Sequence, residues 1–552
     1  MAAIRLFLPA LLTLCLASAQ EPTKEQTLGA MRKAAEFYRN KVSTQGGYHY
    51  DYAADLSYGR SEHSEGPTVI ETQREATPVV AMAYLDAFEL TQDRFYLDAA
   101  RAAAQALVQG QLCSGGWDYS IEFDPEKRKR HPYRADGRCA EGLTGVTTLD
   151  DNVTQACLRL LMRVDRALQF KDEPIHEAAL FALDKLMAAQ YPIGAWPQRF
   201  ERPADFTKFP VVAKASYPET WAWKWPGAEY RTHYTFNDNS ISDMIDLMLE
   251  AARIYDNNRY LASAEKGGEF ILRAQMPDPQ PAWAQQYDAH LRPSWARQFE
   301  PPSVTGGESI GIMRTLMVLY RETGQRKFLE PIGRAIAYLK KSAVPRTEAE
   351  VFKRIPAGDP VLARFYELKT NKPLYVTKGT QIDAAGLGSK RLDGYELSYQ
   401  PDSVITHYSV LVSGRDLAPL EKDFEALSRA EPQSIKRPAY LHGLSPWAER
   451  GGPPAVSSER VRTLISSMDD RGAWMRPGVI GKADRVTSVF AARDMVLYIR
   501  HGQRGKAESI PLTENDTVEI FMGRDRPQER IINSVEFAQN LTALAKYAKS
   551  RP

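Results

Sequence analysis

Apolar residues recur three and four positions apart in paired segments of this chain: 78–89 with 96–107, 154–164 with 178–186, 241–255 with 260–272, and 310–320 with 328–339. That period belongs to the α-helix, and each pair reads as a helical hairpin. Strand-like alternation is scarce. A lone hairpin cannot bury both of its apolar faces, so successive hairpins must pack side by side, and a curved array of them closes into a toroid or superhelix. The predicted fold is therefore all-α.

Punctuation between the segments supports a repeat. Five loops place an aromatic residue after glycine or another small residue: Gly46-Gly47-Tyr48, Gly115-Gly116-Trp117, Gly194-Ala195-Trp196, Pro281-Ala282-Trp283 and Gly472-Ala473-Trp474. Three are preceded by a glutamine, namely Gln111, Gln190 and Gln275. Self-similarity at this spacing marks a repeated supersecondary unit, with the loops on one rim. Their tryptophans either plug helix ends or face a ligand.

The first 19 residues have the form of a secretory signal: Arg5, an apolar run from Leu6 to Leu16, then Ala17-Ser18-Ala19. The mature chain is expected to be secreted or periplasmic. Without Arg5 it carries 70 basic and 69 acidic residues, a balance that does not call for nucleic acid or a membrane surface. No later run approaches the roughly 18 apolar residues of a membrane span. In an oxidising compartment Cys113 and Cys139 could staple the basic loop that contains Lys127-Arg128-Lys129-Arg130, whereas Cys157 on a helix face reads as core.

Polar chemistry gathers where a loop meets the next helix. Thr147-Thr148-Leu149-Asp150-Asp151-Asn152 and Tyr234-Thr235-Phe236-Asn237-Asp238-Asn239 align between repeats, pairing Asp151 with Asp238 and Asn152 with Asn239. The third unit has Thr305-Gly306-Gly307-Glu308-Ser309 in that place. Helix capping is one reading of these residues. The other is a set of hard oxygen ligands brought together from separate repeats, as a calcium ion requires.

Ordered motifs from about residue 70 to 385 resemble the pectate lyases of polysaccharide lyase family 10. They are Gly194-Ala195-Trp196-Pro197-Gln198, Thr235-Phe236-Asn237-Asp238-Asn239, Trp283-Ala284-Gln285-Gln286-Tyr287-Asp288, Pro293-Ser294-Trp295-Ala296-Arg297 through Ser303, and Ala363-Arg364-Phe365-Tyr366-Glu367 with Thr370-Asn371-Lys372-Pro373. The resemblance implies an incomplete (α/α) toroid that cleaves de-esterified homogalacturonan, polygalacturonate, by β-elimination with Ca2+ at the substrate. It implies Asp150, Asp151 and Asp238 as metal candidates, with Asp151 and Asp238 also counted among the catalytic residues. Arg297 matches the catalytic arginine, acting as base, which requires a lowered pKa. Arg364 and Lys378 match positions that grip uronate carboxylates, and Trp196 and Gln198 are expected to bind substrate. The family's first acidic motif favours Asp150 as metal ligand, the internal repeat favours Asp151, and both stay open. Lys378 stands where the family commonly has arginine, and residues 206–230, with Trp221, Trp223 and Trp225, are enlarged.

The expected organisation is a signal peptide at 1–19, a toroid lyase domain at 20–400 and a C-terminal helical extension at 401–552, acting as a monomer. The alternatives are a glycoside hydrolase acting on uronic-acid oligosaccharides through Asp151 and Asp238, and a non-catalytic protein that binds acidic glycans.

Overall fold

The computed structural model describes residues 21–551 except 228, 379–380, 383–388, 391–394, 402–403, 406–407, 436, 438–455, 481–486, 492–495, 501–506, 512–516 and 522–528. The proposed leader thus lies outside the described residues. In chain order the α-helices are α1 (Lys24–Phe37), α2 (Thr77–Thr91), α3 (Arg94–Gln109), α4 (Pro125–Arg128), α5 (Val153–Ala167), α6 (Glu173–Ala188), α7 (Ser240–Tyr255), α8 (Asn258–Ala274), α9 (Gly306–Thr323), α10 (Ile332–Lys341), α11 (Leu417–Arg429), α12 (Ser458–Ser467) and α13 (Ser534–Lys549).

The predicted hairpins are present as α2 with α3, α5 with α6, α7 with α8, and α9 with α10. Their first members pack on one another in the order α2, α5, α7, α9, and α13 extends this inner row by packing against α2. The second members form the outer row, with α1 set against α13. Helices in two concentric rows make an all-α toroid. The inner helices are buried almost all round: α5 covers apolar and polar residues alike from Val153 to Asp165. Arg159 and Arg163 of α5 reach α7 at this depth, with Arg159 Nη2 2.6 Å from Asp246, Arg163 Nε 2.5 Å from Glu250, and Arg159 also paired with Glu250.

The loop signature has a structural cause. Trp117, Trp196, Trp283 and Trp474 are at most 4% exposed. Their indole N–H groups donate to Leu107, Leu186, Ile271 and Leu464 carbonyls at 2.8–2.9 Å, in the last turns of the helices that precede each loop. The preceding glutamine joins the loop to the next repeat: Gln111 donates to Gly115 and Ala178, Gln190 to Gly194 and Ser263, and Gln275 to Pro281 and Pro331. Gly194 has φ of +107°, and a Cβ there would lie 2.0 Å from the Lys266 carbonyl oxygen, so only glycine lets this loop seat on α8.

The Trp196 ring accordingly sits in the core, 1% exposed, and offers no face to a ligand. This corrects its expected place among the substrate-binding residues: the demand for a partner at the α6 C-terminus holds the indole inside.

Short strands link the rims. Thr147–Thr148 pairs with Arg199–Phe200, and Tyr234–Thr235 with Gln286–Tyr287. Near the C-terminus, Glu529–Asn533 pairs with Asp51–Ala53, so the end of the chain returns to its beginning before α13 starts. Strands Thr487–Ala491 and Thr517–Phe521, and Val496–Arg500 and Ala507–Pro511, form two antiparallel ladders, β structure within the stretch expected to be a helical extension. Cys113 and Cys139 are disulfide-bonded, and Cys157 is buried and free.

Candidate active site

The two acidic turns are built alike. Leu149 N–H donates to the Gln198 carbonyl and Phe236 N–H to the Gln285 carbonyl, both at 2.8 Å, which aligns Asp150 with Asn237, Asp151 with Asp238 and Asn152 with Asn239. Each turn then holds two successive residues at positive φ: Asp151 at 50° and Asn152 at 56°, Asp238 at 48° and Asn239 at 59°. Asp and Asn tolerate this region better than other side chains, which explains their use here.

Capping is not their role. Outer helices α3, α6 and α8 begin with capping side chains from Asp93, Asp172 and Asn257, whereas Asn152 and Asn239 make no such bond to α5 and α7. Instead, carboxylate oxygens of Asp150, Asp151 and Asp238 lie within 4.8 Å of one another, a group able to hold a metal ion. Burial, followed by the charges of Asp150 and Asp238, pushes Asp151 up to about 8. Burial, followed by Asp150, pushes Asp238 up to about 7 although Arg364 works to lower it. Three hard oxygen donors that repel one another out of water suit a divalent cation with oxygen preference. Asp150 and Asp151 both bring a carboxylate oxygen to this group.

Arg364 touches this cluster, and Arg297 is joined to it through Glu300, Tyr408 and Asn237. Arg364 follows strand Val361–Ala363, and its Nη2 lies 2.7 Å from Glu308, 2.9 Å from Asn237 Oδ1 and 3.9 Å from Asp238. Its guanidinium stacks 4.0 Å over the Tyr408 ring. Burial works to lower its pKa, but Glu308 and the other anions carry it above the ordinary value. Arg297 is clasped by Glu300 through Nε at 2.8 Å, Nη2 at 2.7 Å and its backbone N–H at 2.9 Å. Burial again pulls Arg297 downward, and the Glu300 hydrogen bonds and charge overcome it, so the guanidinium is held protonated. Glu300 is correspondingly held below the usual carboxylate range despite its burial.

A hydrogen-bonded web joins the two halves. Glu300 accepts from Tyr408 Oη at 2.7 Å and Gln285 Nε2 at 3.3 Å, Tyr408 reaches Asn237 at 3.1 Å, and Asn237 Nδ2 reaches Asp238 at 2.5 Å and Asp150 at 3.5 Å. On the other flank the Tyr119 hydroxyl lies 3.1 Å from Asp151 and 3.3 Å from Asp150 and accepts from Arg199 at 2.9 Å. Gln198 is buried at the foot of the first acidic turn. Lys378 ends strand Pro373–Lys378, and its side chain lies outside the described residues.

Reading single motifs missed Tyr119, Gln285, Glu308 and Tyr408 as site residues. The repeat held the clue for two of them: Tyr119, Gln198 and Gln285 all stand two positions after a loop tryptophan. No local signal marks Tyr408.

The fold is a helical toroid whose rim carries an acidic cluster joined to two arginines. Residues 127–405, half of the chain, match the pectic acid lyase family, and the chain belongs to it. It is a polysaccharide lyase of the pectate lyase type, which sets aside the hydrolase and the non-catalytic alternatives. Tyr119 lies ahead of the matched region. Among solved structures, the Family 10 polysaccharide lyase from Cellvibrio cellulosa is 20% identical, with 64% of this chain and 97% of that chain covered and a TM-score of 0.39. An aspartate-to-alanine mutant of that lyase, in complex with trigalacturonic acid, is 19% identical over 64% and 98%, also at 0.39. Cellobiose 2-epimerase from Bacillus thermoamylovorans B4167 is 12% identical over 59% and 89%, at 0.33. No curated protein matches.

Proposed function

We propose that this lyase is exported and cleaves polygalacturonate by calcium-assisted β-elimination. The observation that carries the reading is the meeting of Asp150, Asp151 and Asp238 within 4.8 Å, opposite Arg297 and Arg364. A calcium ion held by these carboxylates would supply a Lewis acid that draws charge from a uronate carboxylate and makes the C5 proton removable. Arg364, kept charged by Glu308, grips a uronate carboxylate, and its fork fixes the orientation of the ring. Lys378 offers a second cation to the chain. Arg297 removes the C5 proton, the freed electron pair forms the C4–C5 double bond as the C4–O4 bond breaks, and the departing O4 takes a proton from water. Paired with Glu300, Arg297 can accept no proton, so the role requires the substrate to open that clasp and expose the guanidinium to a nearby cation, which lowers its pKa.

Export is supported by the signal-like residues 1–19 and by the Cys113–Cys139 disulfide, a bond that persists in oxidising compartments. No helix among the described residues is long and apolar enough to cross a membrane.

The test is the protein without its leader on polygalacturonate, with and without chelator, followed at the ultraviolet absorbance of the unsaturated product. Absorbance that rises with calcium and stops on chelation is expected. New reducing ends without unsaturation would overturn the elimination, and full activity in chelator would overturn the metal's part.

A further inference from the structure

The segment 206–230 packs on the toroid through Phe209, Ala215 and Tyr217, and it is also fastened directly to the strip that carries Arg297. Trp225 donates its indole N–H to the Ala296 carbonyl at 2.8 Å, and Trp295 donates back to the Ala222 carbonyl at 2.7 Å. This reciprocal clasp fixes where residues 221–225 stand. It leaves Trp223 38% exposed and Trp225 41% exposed. Tyr399, 42% exposed, comes from the far wall, just beyond the strand Tyr395–Ser398 that pairs with Pro373–Lys378.

These side chains form one surface. The Trp221 and Trp223 rings are 5.5 Å apart at 33°, and Trp223 and Tyr399 are 5.3 Å apart at 56°. Large aromatic side chains left in water forgo the burial that normally fixes them, and a patch of them beside a working cleft marks a binding surface. Indole and phenol faces suit a pyranose ring, whose C–H face is apolar while its hydroxyls stay wet. Lys372 Nζ stands 4.8 Å from the Tyr399 ring centre, and the Tyr399 hydroxyl donates to Glu367 at 2.7 Å, which anchors the ring and sets one charge of each sign beside it.

Resting on the lyase reading above, we propose that Trp221, Trp223 and Tyr399 form an outlying subsite that stacks one galacturonate ring of the bound chain. That ring lies beyond those held at Arg297 and Arg364, and Lys372 meets its carboxylate. The platform is continuous with the cleavage site through the Trp225–Ala296 and Trp295–Ala222 bonds, so a polysaccharide chain leaving Arg297 runs over it. The aromatics then contribute affinity for long chains, and little of the chemical step depends on them.

The experiment compares kcat/KM on trigalacturonate and on hexagalacturonate for the native protein, Trp223→Ala, Tyr399→Ala and Trp223→Phe. Affinity electrophoresis in polygalacturonate gels with chelator present, and thermal unfolding, run alongside. The gain in kcat/KM on lengthening the substrate should fall about tenfold in either alanine variant, through KM, and Trp223→Phe should restore most of it. Retardation in the gel should weaken in parallel while the unfolding temperature holds. A native protein that forms unsaturated product while both alanine variants keep the full gain from lengthening would overturn the subsite and leave the lyase reading standing. A native protein that neither cleaves the polymer nor is retarded by it would overturn both. Loss of unfolding temperature in Trp223→Ala alone would shift the decision to Tyr399→Ala.

Discussion

Asp238 shows how one residue is positioned by a conformation that most side chains would resist. Left-handed backbone at Asp238 and Asn239 throws the carboxylate toward Asp150 and Asp151, where like charges and burial oppose ionisation. Asp238→Ala relieves that repulsion, so it should leave the unfolding temperature equal or higher. The calcium concentration for half-maximal rate should rise by at least about tenfold, the loss seen when even indirect supports of a metal are removed. Unchanged calcium dependence would clear Asp238 of the role. Arg297 poses the complementary problem, a cation held too firmly to accept a proton. Replacing Glu300 by glutamine removes the charge that raises Arg297. If Arg297 is the base, the rising limb of the kcat against pH profile should move to lower pH by about one unit or more. Arg297→Lys should cut kcat far more than it raises KM. A limb that stays in place in Glu300→Gln would assign proton removal to another group.

Among the elements, inner helices α5 and α7 are joined by buried ion pairs rather than by apolar contact alone. Burial works to raise Glu250, but Arg159 and then Arg163 overcome it and hold the carboxyl below its ordinary 4.5. A depressed carboxyl contributes stability that is fully present above its unfolded value and is lost as pH falls through the folded one. Glu250→Ala should cost about 3 kcal/mol near neutrality, because Arg159 and Arg163 each lose a buried carboxylate, although Arg159 keeps its pair with Asp246. The gap between native and variant unfolding temperatures should close as pH falls below 4.5. A constant gap across that range would mean that Glu250 acts by packing and not by charge. The outer helices are joined differently, by loop glutamines that bond each one to the next repeat and by more exposed ion pairs such as Arg101 with Asp172.

For the whole molecule, the return of the chain end is decisive. Glu529–Asn533 completes a sheet with Asp51–Ala53, and α13 fills an inner position against α2 and α1. Phe537, Leu541 and Leu544 are buried there, a contribution of roughly 5–9 kcal/mol. That is comparable to the entire stability of an ordinary domain, about 5–15 kcal/mol. A chain truncated before residue 529 should therefore fail to unfold cooperatively and should lose lyase activity, although the deletion lies far in sequence from Arg297. A truncated protein that keeps a sharp thermal transition would show that the first hairpins stand without α13.

By itself the sequence determined the helical hairpins, the loop signature, the family and the acidic repeats. Each of these rests on short-range physics: a 3.6-residue period, the turn preferences of glycine, aspartate and asparagine, and motifs written in consecutive residues. The candidates Asp150, Asp151, Asp238, Arg297 and Arg364 were picked out for that reason. Only the tertiary structure decided that Trp196 is a core plug, that Glu300 clasps Arg297, that Tyr119 and Tyr408 close the acidic site from opposite flanks, and that α13 sits beside α2. Those outcomes depend on which surfaces meet when repeats pack. The residues concerned lie up to hundreds of positions apart, so no local pattern records their meeting.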